Sequence, residues 1–505
     1  MEINRLIELL DEDVVTVGSQ VQLHAMLTGA HSDSRRIAEN DLFIALPGVR
    51  SQGTDYLTKV FENGALAALI PDDADISSEL DDKCIRVKHI RKNGALAATL
   101  VYGNPTQHML TFGVTGTNGK TSTCHLLKHL LEACGHKVVM LTTVAHEFGD
   151  WREETPNTTP DAALVQYVLG NAKLQGATAA VVEVSAHGIL LDRILGCQFD
   201  GVVFTNLSTD HQDCFAGIEP YFNEKQRLFM ESVYHKPNCV AAICTNDAFG
   251  KRLAEQCPLP HKTFSFEPAT ADTHVSANQL TVTPEGIRGD ITVDGQLLKV
   301  HTSLTSSFNC LNITGAATLA VMANLPIERI RQGLLAPLQV PGRLMKVPST
   351  APFEVIVDFA HTDSSMSNLL DGLRPECQGR LLVVFGAGGD KDPARRTTLP
   401  EVVIDKADVG VITLDNPRSE PPMNIINTMV GHWQEMEKQV ANPASCHVEP
   451  DRTTAIHWAL SQAQPKDIVV LAGKGHETTQ IFADRVEHHD DFAIAEAWLK
   501  DHYPQ

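Results

Sequence analysis

Thr111-Phe112-Gly113-Val114-Thr115-Gly116-Thr117-Asn118-Gly119-Lys120-Thr121, continuing into Ser122, runs from an apolar strand pattern into a helical one. Glycines in such a turn let backbone N–H groups point inward around phosphate oxygens, and the start of the following helix favours negative charge. Lys120 is then placed for the β- and γ-phosphates of a nucleotide, and the Thr121 hydroxyl for Mg²⁺. The spacing departs from the standard phosphate loop, which wants a glycine where this chain has Val114; Gly113 and Gly116 flank that position instead. The plain alternative is a glycine-rich turn beside a lysine. Strand, Gly-Lys-Thr and helix in register favour the phosphate loop. The helix carries an apolar stripe of Leu126, Leu127, Leu130, Leu131 and Cys134, and Gly135 ends it.

Outward from this loop, short runs rich in Val, Ile and Phe alternate with helical patterns. One series comprises Thr111 to Val114, Lys137 to Leu141, Ala179 to Val184, Gly201 to Thr205 and Cys239 to Ile243. A second comprises Phe353 to Val357, Leu381 to Phe385, Val409 to Thr413 and Asp467 to Leu471. Continuous apolar runs between helices predict parallel sheets covered on both faces. The fold class expected is α/β in three domains: a smaller N-terminal unit over 1–107, a central nucleotide-binding unit over 108–340, and a Rossmann-like C-terminal unit over 341–505. Asn104-Pro105 and Pro341-Gly342 read as hinge points. There is no internal repeat or low-complexity tract.

The bulk properties narrow the function. The 505 residues exceed one compact core, and 43% hydrophobic with 20% charged residues is ordinary for a soluble protein. A formal net charge of −21 argues against a nucleic-acid or anionic-membrane surface. No apolar stretch approaches the roughly 20 residues of a membrane span, and the start has no signal-peptide pattern. The 11 cysteines are scattered without a CxxC pair, as expected of reduced thiols. Together these features predict a cytoplasmic protein acting on small molecules.

Two further residues fall where doubly wound sheets gather ligands, at carboxyl ends of strands. Glu183, in Glu183-Val184-Ser185-Ala186-His187, offers hard oxygen ligands to Mg²⁺, and His211, in Asp210-His211-Gln212-Asp213, offers a nitrogen to a second ion. Singly, each reads as an ordinary solvated glutamate or structural histidine. As a pair behind a phosphate loop they favour a metal-assisted transfer centre.

The run from Gly113 to Ser122 resembles the nucleotide loop of the Mur ligase family, whose members extend the peptidoglycan precursor peptide. The likeness continues along almost the whole chain. It implies ATP and Mg²⁺ as cofactors, with Gly116, Thr117, Asn118, Gly119, Lys120, Thr121 and Ser122 around the phosphates. It implies catalytic roles for Lys120, Glu183, His211 and Lys225, the last carbamylated so that its new carboxylate joins Thr121, Glu183 and His211 at the metal. It assigns Asn312 to the adenine side, and Arg343 and Asp358 to phosphate and ribose from the third domain. Read without the resemblance, Lys225 is a surface lysine on a helix and Arg343 a linker residue.

The resemblance also implies substrates. Ser32 and Ser34, in Ser32-Asp33-Ser34-Arg35-Arg36, with Asn157, Thr158, Thr159, Ser185 and Arg193, match residues that hold a uridine diphosphate sugar donor. Asp415-Asn416-Pro417-Arg418 resembles the signature of members that add meso-diaminopimelate, with Gly473 and Glu477 completing the acceptor site. Arginine's planar fork suits the distal carboxylate of that diamino acid, and Glu477 its distal ammonium. By itself the tetrapeptide is also an ordinary turn.

Five departures from the family pattern bear on the substrates. Lys391 stands where diaminopimelate-adding relatives carry arginine, keeping the charge without the fork. Leu191 replaces a glutamine that touches the donor. Asp213-Cys214-Phe215 replaces Asp-Tyr-His, Met345 replaces a glutamate, and His361-Thr362-Asp363 lacks the usual proline. The expectation is an ADP-forming amide ligase, monomeric, adding meso-diaminopimelate to the muramoyl dipeptide. A paralogue joining lysine or a specialised metabolite, a folate-polyglutamate-type ligase and a catalytically lapsed nucleotide-binding regulator stand as alternatives.

Overall fold

The strand Leu110–Thr115 is apolar because it is covered on both faces: from Thr111 to Thr115 it is buried without a break. It lies inside a nine-stranded sheet, between the parallel strands Ala179–Glu183 and Phe199–Phe204. Val138–Leu141 extends the sheet on one side, and His235–Cys244, His261–Ser265 and His274–Ser276 on the other, all parallel. Two short antiparallel strands, His146–Phe148 and Trp151–Glu153, finish the first edge. This computed structural model describes every residue except 49, 50, 156, 209–214, 270–273, 284 and 505.

Alternate side chains of these strands enter two cores, as the two-residue period of a strand requires. Phe112, Val114, Met140 and Val181 pack with the helices Lys120–Ala133 and Ser307–Met322. Leu141, Ala180, Val182 and Val202 pack with Ala162–Leu174 and Ile218–Met230 on the opposite face. The stripe of Leu126, Leu127, Leu130 and Leu131 is buried, and Gly135 takes a left-handed φ of 90° just past the helix end.

Two further mixed sheets flank this one along the chain. The first orders Val14–Val17, Cys84–Val87, Ala67–Pro71, Asp41–Ile44 and Gly29–His31, parallel except for the first pair. The last orders Met345–Lys346, Glu354–Asp358, Ile468–Ala472, Leu381–Phe385, Val409–Ile412 and Ser445–Val448, again antiparallel only at its first pair. The two α/β units expected from the apolar runs are therefore present, behind a third α/β unit at the N-terminus. Their strand ends matter most here, because the carboxyl ends of the central and last sheets carry the candidate site residues.

Two antiparallel additions were not anticipated. Leu280–Thr283, Gly286–Val293 and Gln296–Thr302 form a separate three-stranded sheet, and Thr479–Ile481 pairs with Val486–His488. Among the described residues no helix is long and apolar enough to cross a membrane.

Candidate active site

The phosphate loop leaves the central strand at Thr115 and is braced from the neighbouring strand end. Thr117 N donates to Asn206 O at 2.9 Å, and Asn118 N to Asn206 Oδ1 at 2.9 Å. Asn118 O accepts from Thr205 Oγ1 at 2.6 Å and from Asn206 Nδ2 at 3.0 Å. Gly116 has φ 146°, and a Cβ there would lie 1.9 Å from Thr205 Oγ1, so only glycine fits. A Cβ on Gly119 would meet Asn312 Oδ1 at 2.4 Å, which shows how closely Asn312 packs on the loop. Lys120 Nζ donates to Thr117 O at 2.9 Å.

Glu183 closes the adjacent strand, almost fully buried. Its carboxylate accepts from Thr121 Oγ1 at 3.0 Å, from Thr143 N at 3.0 Å and from Thr143 Oγ1 at 3.1 Å. All three donors are neutral groups, and no ion pair to Glu183 forms among the described residues. An anionic oxygen beside the Thr121 hydroxyl is a donor set suited to a hard divalent cation. No group of three or more His, Cys, Asp or Glu is gathered among the described residues. His211, Asp213 and Cys214 lie outside the described residues. Lys225 is not the surface residue its helix position suggests: it is buried, donates from Nζ to Gly116 O at 2.8 Å, and stands 4.5 Å from the Tyr221 ring. Phe215 packs between His187 and Tyr221.

The third unit reaches this centre through Arg343. Its Nη2 donates to Thr121 Oγ1 at 3.2 Å, and its guanidinium carbon lies 4.9 Å from the Phe359 ring centroid. The buried Nε of Arg343 has no hydrogen-bond partner among the described residues. An unmatched buried donor beside a phosphate loop fits an anion. Asp358 accepts from Leu344 N and Ala360 N, both at 2.8 Å, while burial pushes its carboxyl above the usual range despite Arg343 nearby. Burial, with Arg343 and Arg152 close by, brings His476 down to about 3, so its ring stays neutral near pH 7.

Across the cavity, loops after the strands of the last sheet converge. Arg418, with a left-handed φ of 53°, donates from Nη1 to Gly389 O at 2.8 Å and to Asn416 O at 3.4 Å. Glu477 Oε2 accepts from Asn416 Nδ2 at 2.8 Å and from the fully buried Lys474 Nζ at 3.0 Å. Lys474 also donates to Asn416 Oδ1 at 3.2 Å. One cavity of about 570 Å³ is lined by these loops, the phosphate loop and Glu183 together.

The segment 114–320 matches the Mur ligase middle domain, and 342–475 the Mur ligase, glutamate ligase domain. The chain is 34% identical over 477 residues to the UDP-N-acetylmuramoyl-L-alanyl-D-glutamate–2,6-diaminopimelate ligase of Geobacter metallireducens, covering 92% of each. The chain belongs to the Mur ligase family. The ligase of the same name from Synechococcus elongatus is 37% identical over 476 residues, covering 93% of each chain. A solved structure carrying that enzyme name superposes with a TM-score of 0.65 at 26% identity, covering 99% of both chains.

In this Mur ligase the cavity gathers residues from every group singled out in the sequence, though not every member of each. Thr117, Lys120, Thr121 and Ser122 line it with Asn312, Arg343 and Asp358; so do Asn157, Thr158, Ser185 and Arg193. Lys391, Asp415, Asn416, Arg418, Gly473 and Glu477 line its far end. Ser32 and Ser34 in the first unit, Gly116 and Lys225 behind the loop, and Pro417 in its turn are not part of this lining. Thr159 is a buried brace: its Oγ1 donates to Glu183 O at 2.8 Å, and its carbonyl accepts from Arg193 Nη1 at 2.8 Å. Sequence reasoning passed over Thr143, Asn206 and Lys474. Thr143 and Asn206 each follow a strand end, which is the signal that could have found them.

Proposed function

We propose that this Mur ligase uses ATP to join meso-diaminopimelate to the free carboxylate of UDP-N-acetylmuramoyl-L-alanyl-D-glutamate, releasing ADP and phosphate. The observation that carries the reading is the single cavity, open from Lys120 and Glu183 at one end to Arg418 and Glu477 at the other. The related ligases named for this reaction support the choice of donor and acceptor.

The donor carboxylate oxygen attacks the γ-phosphorus, the bond to the β-phosphate oxygen breaks, and ADP leaves with an acyl phosphate behind. Lys120 and Arg343 face the charge that spreads over the transferring phosphoryl group. The neutral amine of the acceptor then attacks the acyl carbon, expels phosphate and loses a proton to form the amide. A divalent cation such as Mg²⁺ would, when bound, supply further charge neutralisation; Thr121, Glu183, His211 and a carbamylated Lys225 are the residues that would hold it. Thr143 keeps Glu183 aimed through two hydrogen bonds. Contact of Arg343 with Thr121 brings the third unit over the loop and excludes water from an intermediate that water would destroy. Asn157, Thr158, Ser185 and Arg193 hold the donor near its reacting end, and Ser32 and Ser34 its uridine diphosphate. The chain acts as a monomer in the cytoplasm, without a nucleic-acid or membrane partner.

Arg418 binds the distal carboxylate of the acceptor and Glu477 its distal ammonium. Glu477 keeps Oε1 for that contact while Oε2 is held by Lys474 and Asn416. Arg418→Ala is expected to raise the KM for meso-diaminopimelate and cost about 2–5 kcal/mol of acceptor binding, more than tenfold, with the KM for ATP nearly unchanged. Steady-state kinetics with each substrate varied in turn checks this. Lys391, exposed and without arginine's fork, supports a looser discrimination against lysine than in relatives with arginine there. An unchanged KM for diaminopimelate in Arg418→Ala would return the acceptor to the paralogue reading.

A further inference from the structure

Beneath the far end of the cavity lies an ion pair that touches none of the cavity and has no exposed atom on either side chain. Arg452 and Asp491 are both completely buried. Arg452 Nε donates to Asp491 Oδ1 at 2.9 Å and Nη2 to Asp491 Oδ2 at 2.7 Å, a two-pronged contact. His489 Nε2 stands 2.8 Å from Asp491 Oδ1 and steadies the carboxylate from its other side. Two more guanidinium N–H groups go to carbonyls: Nη2 to Ala472 O at 2.8 Å and Nη1 to Leu414 O at 3.4 Å.

Those two carbonyls are informative by position. Leu414 immediately precedes Asp415, and Ala472 immediately precedes Gly473. The strands they extend, Val409–Ile412 and Ile468–Ala472, are not neighbours in the sheet; Leu381–Phe385 runs between them. Each strand is laddered to Leu381–Phe385 and not to the other, so the sheet spaces the strands but no ladder hydrogen bond joins the two loops that carry Arg418 and Glu477. The guanidinium of Arg452 joins them at their base; further out Gln480 donates to Asp415 O at 2.7 Å, and Asn416 bonds across to Glu477 and Lys474.

A buried ion pair is a poor device for stability alone, since well-packed apolar side chains of similar size serve as well or better. It is a good device for geometry, because a planar fork fixes several acceptors at once. Burial opposes both charges, yet Asp491 is held well below the usual carboxylate range by Arg452, so the pair stays ionised.

We propose that Arg452, clamped by Asp491 and His489, is a positioning residue for the acceptor pocket: it sets the separation of the Asp415–Arg418 turn from the Gly473–Glu477 turn, and so selects a diamino acid of matching length. The inference rests on the acceptor reading above.

Arg452→Lys keeps the charge and loses the fork. It is expected to fold, to raise the KM for meso-diaminopimelate by about tenfold or more, and to leave the KM values for ATP and donor nearly as in wild type. Arg452→Met removes the charge as well and should raise the diaminopimelate KM further, so that lysine at this position counts as partial rescue. A pair that only holds the fold together would lower thermal stability and the active fraction without separating the three KM values. That outcome, or an equal rise in all three, overturns the proposal. If Arg452→Lys does not fold, Asp491→Asn gives the same reading, and failure of both to fold makes the pair a stability element and ends the inference. Arg418→Ala measured alongside separates the two claims. A raised acceptor KM there with a normal one in Arg452→Lys removes the positioning role alone; no change in Arg418→Ala removes the acceptor pocket and the positioning role with it.

Discussion

Lys120→Ala is expected to lower turnover by roughly 100- to 1,000-fold or more, the scale seen when one preorganised charge partner is taken from a transferring group. The side chain is half-buried at the loop and reaches back to Thr117 O rather than into either core of the central sheet. Its loss should therefore leave the circular dichroism spectrum and elution volume as in wild type. Lys120→Arg is a sharper version of the test, because the charge remains while its reach and shape change. Near-normal turnover in Lys120→Ala would remove the phosphate-loop assignment from which the rest of the mechanism is built.

Lys225→Ala should be nearly as damaging, and its loss should be partly reversible. The lysine is buried against Gly116 and the Tyr221 ring, directly behind the phosphate loop, which is no place for a solvated surface residue. If its working form is the carbamate, truncation removes a carboxylate and leaves room for a small one. Activity should fall by about 100-fold or more and recover in part with added formate or acetate, while the Lys120→Ala enzyme stays unresponsive to either. A loss that no carboxylate restores points instead to the Gly116 contact, a prop for the loop. A fully active variant would give Lys225 no part in the reaction.

The sequence made the central and C-terminal sheets legible because parallel strands buried on both faces are written as unbroken apolar runs, and Ala179–Glu183 or Leu381–Phe385 can be read as nothing else. The short antiparallel strands were not legible in that way. Gln296–Thr302 does alternate, with Leu298, Val300 and Thr302 buried, but three such positions amid exposed ones form a weak pattern. The glycine-rich loop and Glu183 could be singled out because the one is a local motif and the other closes a strand. Thr143, two residues past a strand end, was passed over because its part is a pair of hydrogen bonds to a residue 40 positions away. Lys474 lies between Gly473 and Glu477 and was passed over, because nothing in that run says which side chain turns inward. Arg452 was beyond reach of any motif: its meaning comes from Leu414, Ala472 and Asp491, brought together only by the fold.

The account's central claim is tested most directly by ADP release from purified enzyme with ATP, the muramoyl dipeptide donor and one amine at a time. The account predicts sustained ADP release only when donor and amine are both present, fastest with meso-diaminopimelate, slower with lysine, and a product heavier than the donor by the amine less one water. ADP release that needs neither partner, or a clear preference for lysine, would contradict it.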